Sequence, residues 1–325
     1  HHHPVTLRRE NMKITAGIGS ADAYIPCVQA GADELFCGYV PADWMEKYGI
    51  FLPLNRREVL YYPVQIGSRS ELQILNSMKD VYGVPVSITL NSLYYTPEQY
   101  PILADYIEQC VTDGFSSFIV ADMALLVYLH EQGIDRQIQL HISGELSEIN
   151  HLTIAQCRKL GADRVIFHRK TTLADMKACV NTQPELEYEA FVLNEMCHFH
   201  GAFCSSLHCD ELPHACLIPY QLRGVHSSLA CEEHTPDAPV RSCVGQSGCG
   251  LCALWRMREA GISYGKLVSR GNFLEDTVRD IRAFRTALDI LDDSADEVSF
   301  QKQLKRQLFP DGCSGTCYYP VNQVQ

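Results

Sequence analysis

Val84-Pro-Val-Ser-Ile-Thr-Leu90, Ser117-Phe-Ile-Val-Ala121, Gln137-Ile-Gln-Leu-His141 and Arg164-Val-Ile-Phe167 are four short runs rich in Val, Ile, Leu and Phe. Each is followed by a stretch of helical periodicity: Pro97–Asp113, Met123–Gln132, Asn150–Leu160 and Thr172–Val180. Gly114, Gly133 and Gly161 close the first three, as a residue free to adopt positive φ commonly does at a helix end. Short apolar runs that alternate with amphipathic helices signal βαβ units and a parallel sheet.

The same rhythm extends outward in both directions. Upstream lie a strand at Lys13–Gly17, a helix at Ala21–Ala30 closed by Gly31, and a strand at Glu34–Cys37; residues 39–83 are less regular, with a helix near Ser70–Tyr82. Downstream come a strand at Leu186–Leu193, a helix at Leu251–Ala260, a strand at Tyr264–Val268 and a helix at Leu274–Leu291. Val278, Ile281, Phe284 and Leu288 form the apolar stripe of that last helix. About eight strands, nearly all followed by helices, predict a TIM-like (β/α)8 barrel. A doubly wound open sheet is the alternative, weakened because no Gly-x-Gly-x-x-Gly turn follows the first strand.

Three regions are expected. Residues 1–11, opening on His1-His2-His3, read as a purification-tag remnant. Residues 12–293 form the barrel, interrupted by a cysteine-rich insertion at 194–252. Residues 294–325 add a charged helix and a cysteine-containing tail. The chain has 325 residues, 46% of them hydrophobic, which suffices for one large core. Its formal charge of −12 repels polyanions and argues against general nucleic-acid binding, while leaving room for a local basic pocket. Without a run of about 20 apolar residues no membrane span is expected, and without a signal-like segment the chain reads as cytoplasmic.

Fifteen cysteines in a reducing compartment suit metal ligation better than disulfides. Cys27, Cys110, Cys157 and Cys179 fall within helical patterns and read as small core hydrophobes. The insertion differs: Cys197, Cys204, Cys209, Cys216, Cys231, Cys243, Cys249 and Cys252 crowd a stretch without periodicity, together with His198, His200, His208 and His214. A long loop so rich in thiols is expected to be ordered by metal. Tight pairs typical of zinc are approached only by Cys249-x2-Cys252 and Cys204-x4-Cys209, so the wider spacings favour iron–sulfur, with zinc as the alternative. Cys313-x3-Cys317 stands apart as a second site, a cap on the first, or a redox pair.

Barrel chemistry gathers where strands end. The residues there are Gly38-Tyr39, Asn91, Asp122, His141 with Ser143 and Glu145, His168-Arg169, Asn194-Glu195, and Lys266 with Arg270. His141 and Glu145 are candidate proton-transfer groups, and Arg169 joins them as a catalytic candidate. Asp122, Ser143, Lys266 and Arg270 are candidate substrate-binding residues, with Arg169, Lys266 and Arg270 suited to a carboxylate-bearing partner.

These residues resemble the collagenase-like peptidase family, peptidase family U32. The resemblance runs from about Lys13 to Leu291. It rests on Ile14-Thr-Ala-Gly-Ile-Gly-Ser20, Ala30-Gly-Ala-Asp33-Glu-Leu-Phe-Cys-Gly38, Val120-Ala-Asp122, Leu140-His141-Ile-Ser143-Gly-Glu145, Arg164–Arg169, His200-Gly-Ala-Phe-Cys204, Leu251-Cys252, Ala260-Gly-Ile262 and Gly265-Lys266-x3-Arg270-Gly271. Glu145 stands where the family usually carries Gln.

The resemblance implies a 4Fe–4S cluster on four cysteines and oxygen-independent hydroxylation of a small molecule or nucleobase, with a prephenate-like oxygen donor and a paralogous protein partner. Carried over, the ligands are Cys204, Cys252, Cys216 and Cys197, with Cys209 as the alternative to the last. The family name also implies proteolysis, but neither His-Glu-x-x-His nor Gly-x-Ser-x-Gly occurs. A metal-dependent peptidase and a non-catalytic, metal-stapled subunit are the other readings.

Overall fold

The computed structural model describes residues 11–58, 64–146, 149–197, 204, 206, 208, 218, 220–222, 232–234 and 243–320. Most of the presumed tag remnant, residues 1–10, lies outside them, as does much of the cysteine-rich insertion.

Eight parallel strands close into a barrel: β1 (Lys13–Gly17), β2 (Glu34–Cys37), β3 (Val86–Leu90), β4 (Ser117–Val120), β5 (Gln139–Ile142), β6 (Arg164–Ile166), β7 (Glu187–Leu193) and, after a short antiparallel pair β8 (Tyr220–Leu222) and β9 (Glu232–His234), β10 (Tyr264–Leu267). Around the ring the order is β1-β10-β7-β6-β5-β4-β3-β2. The intervening helices are α1 (Tyr24–Ala30), α2 (Ala42–Tyr48), α3 (Arg69–Tyr82), α4 (Gln99–Thr112), α5 (Met123–Glu131), α6 (His151–Lys159), α7 (Leu173–Thr182), α8 (Leu254–Ala260) and α9 (Leu274–Asp293), followed by α10 (Glu297–Leu308). The expected barrel is thus the observed fold, with α2 as a helix that the irregular stretch 39–83 had hidden.

Local chemistry explains the boundaries. The side chains of Ser68, Asp122, Asn150 and Thr172 accept backbone N–H bonds at the starts of α3, α5, α6 and α7, satisfying donors that a helix start leaves unpaired. The strands are buried almost throughout, as both faces of a parallel sheet under helices require. Ile281, Phe284 and Leu288 of α9 are buried against this core, and α10 adds Phe300 and Leu304. Cys27, Cys110, Cys157 and Cys179 are buried as expected, and burial pushes their thiols up, to about 12, 12 and 11 for the first three.

The barrel interior holds a charged layer. Arg164 on β6 reaches Glu34 on β2 at 2.7 Å and Glu189 on β7 at 3.0 Å, and its guanidinium lies 3.5 Å from the Tyr264 ring centroid. Lys266 on β10 lies 3.4 Å from Glu189 and 3.9 Å from the Phe36 ring centroid. These groups are nearly sealed from water, so each cation depends on its carboxylates. No helix among the described residues is long and apolar enough to cross a membrane.

Candidate functional site

Above the charged layer, where β-strands give way to loops, a cavity of about 80 Å³ opens at the barrel mouth. Arg56, Arg57, Arg169, Lys266 and Arg270 line it, and among the described lining residues only Glu145 and Glu195 are acidic. Phe36, Ile119 and Phe191 supply apolar walls, with Thr89, Asn91, Ser143 and His208 as polar neighbours.

Arg270 follows β10 and extends between two glycines. A Cβ on Gly17 would sit 2.9 Å from its Cγ, and one on Gly38 would sit 3.2 Å from its Nη1, so a side chain at either place would crowd the arginine. Its Nη1 donates to Thr89 Oγ1 at 3.2 Å. Among the described residues no carboxylate lies within ion-pair distance of it. Burial, then the neighbouring Arg57, bring its pKa down to about 10. It remains a cation at neutral pH, but one held in an unfavourable field.

Glu145 sits between two arginines, 3.5 Å from Arg169 Nη1 and 3.9 Å from Arg56 Nε. Burial opposes its ionisation, but Arg169 and then Arg56 outweigh that and hold the carboxyl below its usual range. Ser143 Oγ accepts the Glu145 backbone N–H at 3.1 Å, fixing the turn that carries it. The Arg169 guanidinium lies 4.0 Å from the Phe191 ring centroid, an arrangement that orients its plane.

Arg56 and Arg57 come from the irregular loop after α2. Arg56 donates to the backbone oxygens of Ser206 and Cys204, each at 3.1 Å, and Arg57 donates to Glu195 at 2.9 Å and to the Arg270 carbonyl at 2.8 Å. Glu195 and its neighbour Asn194 both take positive φ, 51° and 71°. Such conformations are uncommon outside glycine and concentrate where a fold constrains a functional loop. Here Asn194 Nδ2 donates to Asp280 at 2.9 Å, and the Glu195 N–H donates to Ser247 Oγ at 3.1 Å, fixing the bend that turns Glu195 toward Arg57.

The sequence-predicted residues divide. Ser143, Glu145, Arg169, Lys266 and Arg270 meet at the mouth, with Asn91 and Glu195 beside them. Asp122 does not line that cavity: its carboxylate accepts N–H bonds from Ala124 at 2.9 Å and Tyr95 at 3.1 Å and the Tyr100 hydroxyl at 3.0 Å, which makes it a helix cap and loop anchor. His141 lies one layer deeper, with Nε2 3.4 Å from Ser117 Oγ. Burial, then Arg164 and Lys266, hold it well below the usual histidine range and therefore neutral. Arg56 and Arg57 belong to the site although no periodic signal marked them.

Three of the four cysteines expected to hold a cluster are described, and they fall in different surroundings. Cys197 contributes to the field at Arg169. Cys204 lines a separate recess with Arg56, Ser92 and Tyr94. Cys252 lines another cavity with Cys249, Cys313 and Cys317. Cys216, like Cys209 and Cys231, lies outside the described residues. Among the described residues no three His, Cys, Asp or Glu side chains are grouped to hold a metal ion. With Cys216 and most of the segment 198–242 outside the described residues, the set Cys197, Cys204, Cys216 and Cys252 stays an expectation.

A stretch of 98 residues is 24% identical to tRNA hydroxylation protein P of Escherichia coli (strain K12), covering 30% of this chain and 21% of that protein, so the match spans about a fifth of the relative's length. Among solved structures, the U32 peptidase Mk0906 aligns with a TM-score of 0.49 and 10% identity over 83% of this chain and 98% of that one. A phosphoribosyl anthranilate isomerase from Thermus thermophilus aligns with a TM-score of 0.47 and 8% identity, over 85% of this chain and all of that one. Residues 19–319 match the family described as Peptidase family U32, and the chain belongs to that family.

Proposed function

We propose that this chain is a U32-family enzyme whose barrel mouth binds a small anionic substrate or co-substrate and modifies a small molecule or nucleobase by hydroxylation-type chemistry. The observation that carries this reading is the charge of the mouth: five cations face two carboxylates in a chain of formal charge −12. So concentrated a positive field in an acidic protein recruits anions to one place. Arg169, oriented over Phe191, and Arg270, threaded between two glycines, are the groups suited to grip a carboxylate or phosphate. Glu145, ionised and adjacent, is the proton acceptor in reach of that ligand, while Lys266 sets the potential from below.

The name of the Escherichia coli relative, a tRNA hydroxylation protein, supports a hydroxylation role. An iron–sulfur cluster remains part of this reading, with Cys197, Cys204, Cys216 and Cys252 as its ligands and Cys209 as the alternative to Cys197. A cluster there would supply redox or Lewis-acid chemistry. A prephenate-like carboxylate as oxygen donor and a paralogous protein partner are the corresponding expectations.

Thermal-shift measurements with prephenate, nucleoside monophosphates and uncharged nucleosides test the reading. The anionic compounds are expected to raise Tm and the uncharged ones not. Stabilisation by uncharged nucleosides alone would overturn it. Anaerobic iron and acid-labile sulfide analysis tests the cluster separately.

A further inference from the structure

The tail after α10 returns to the barrel at the end of β7. Single bridges join Leu193 to Cys249 and Cys249 to Cys317, so the tail runs beside residues 248–250, which run beside the strand. The Cys249 N–H donates to the Thr316 carbonyl at 2.8 Å, and the Tyr318 N–H donates back to the Cys249 carbonyl at 2.9 Å. The Thr316 hydroxyl adds a bond to the Gln246 carbonyl at 3.0 Å. The tail is thus docked in one register.

That register carries Tyr318 to the bend that follows β7. The residue is buried, and its hydroxyl donates to the Asn194 carbonyl. A Cβ on Gly248 would sit 2.5 Å from the Tyr318 Oη, so a side chain there would crowd the ring. Burial raises the Tyr318 pKa, and the Arg169 guanidinium, hydrogen-bonded to the same hydroxyl, opposes it. One hydroxyl therefore touches a cation of the mouth and the backbone of the positive-φ pair Asn194 and Glu195, whose second member meets Arg57 at 2.9 Å.

We propose that Tyr318 is a positioning residue of the anion site: from the tail, it fixes Arg169 and the Asn194–Glu195 bend relative to one another. The inference rests on the reading of the mouth as an anion site. A hydroxyl that donates its proton keeps lone pairs to accept with, so one group can serve the carbonyl and the guanidinium together. Arg169 is also held by Glu145 at 3.5 Å and by the face of Phe191 at 4.0 Å, and the tyrosine adds a third restraint. A guanidinium held from several sides meets an anion without first losing its own freedom. Tyr318 is not among the described residues lining the cavity, so it acts through Arg169 and the bend.

Titration calorimetry with prephenate on the full chain compares the parent, Tyr318→Phe and Thr316→Val. The first variant keeps the ring and removes only its hydroxyl, and the second removes a tail hydroxyl that bonds the Gln246 carbonyl instead. Tyr318→Phe is expected to lose affinity on the order of tenfold, the worth of one hydrogen bond to a charged group, and Thr316→Val to keep the parent's affinity. Hydrogen exchange of the ligand-free proteins reads the bend without any anion: peptides covering 194–196 are expected to exchange faster in Tyr318→Phe, and those covering 117–120 to match the parent. Equal affinity in the parent and Tyr318→Phe, an equal loss in Thr316→Val, or unchanged exchange at 194–196 would overturn the inference alone. A parent that binds no prephenate would overturn the anion-site reading and the inference with it.

Discussion

Glu145 and Arg169 lie 24 positions apart in sequence, after the neighbouring strands β5 and β6, and meet at the barrel mouth at 3.5 Å. Arg56 approaches the same carboxylate from the other side, at 3.9 Å. The carboxylate thus occupies the ground between two cations where an external anion would sit. Glu145→Gln removes that competitor and is expected to raise the affinity for added phosphate about tenfold, equivalent to ~1.4 kcal/mol. It also leaves buried Arg169 without its counter-charge, so stability should fall by about 1–3 kcal/mol. Calorimetric titration and urea unfolding measure both, and weaker phosphate binding in the variant would mean that Glu145 assists the ligand instead.

A pH dependence follows from Glu58, a buried residue whose Oε1 accepts the Asn55 N–H at 2.6 Å. Burial raises its pKa to about 7, opposed by backbone hydrogen bonds from Asn55 and Leu54 and by Arg270. A carboxyl whose folded pKa lies above its unfolded value holds more protons when folded, so it lowers stability as pH climbs from about 4.5 to 7 and no further beyond. Glu58→Gln keeps the acceptor and removes the titration. The variant should gain stability relative to the parent across that window, by an amount on the order of 3 kcal/mol. Parallel unfolding curves at all pH values would contradict it.

Arg164 is the hub of the interior layer, bonded to Glu34 and Glu189 and stacked on Tyr264. Arg164→Met leaves two carboxylates buried without their partner. The expected loss is about 3–5 kcal/mol, the usual result of breaking a buried pair from one side. Denaturant unfolding would show it, and a loss under ~1 kcal/mol would mean that Lys266 compensates.

The tail is anchored at a second point, where the Tyr319 hydroxyl donates to the Phe191 carbonyl at 2.9 Å in a buried setting. Tyr319→Phe strands that carbonyl at a cost of about 1–3 kcal/mol. Faster proteolysis of residues after Leu308 is expected, and an unchanged cleavage rate would separate tail docking from this bond.

Much of this was legible in the sequence because parallel strands and their helices advertise themselves by period. β1, β2 and the residues that follow strands, Ser143, Glu145, Arg169 and Arg270, fell where the alternation placed them. Arg56 and Arg57 did not, since they ride a loop whose course is set by hydrogen bonds to Asn91, Glu195 and the Arg270 carbonyl rather than by any repeat. Asp122 and His141 occupy strand-end positions by count, yet one caps α5 and the other sits a layer below the cavity, a distinction that depends on which way each side chain leaves the barrel wall. Cys252 belongs with Cys313 and Cys317 because the tail folds back, and no local pattern encodes that return.

If the mouth is an anion site, Arg270 is the residue that reveals it most sharply, because no described carboxylate lies within ion-pair distance of it. Titration calorimetry with prephenate, comparing the parent with Arg270→Met, measures it directly. The variant is expected to lose at least tenfold in affinity, about 1.4 kcal/mol or more, and the parent to bind more weakly as salt is raised. Equal affinity in the two proteins, independent of salt, would contradict it.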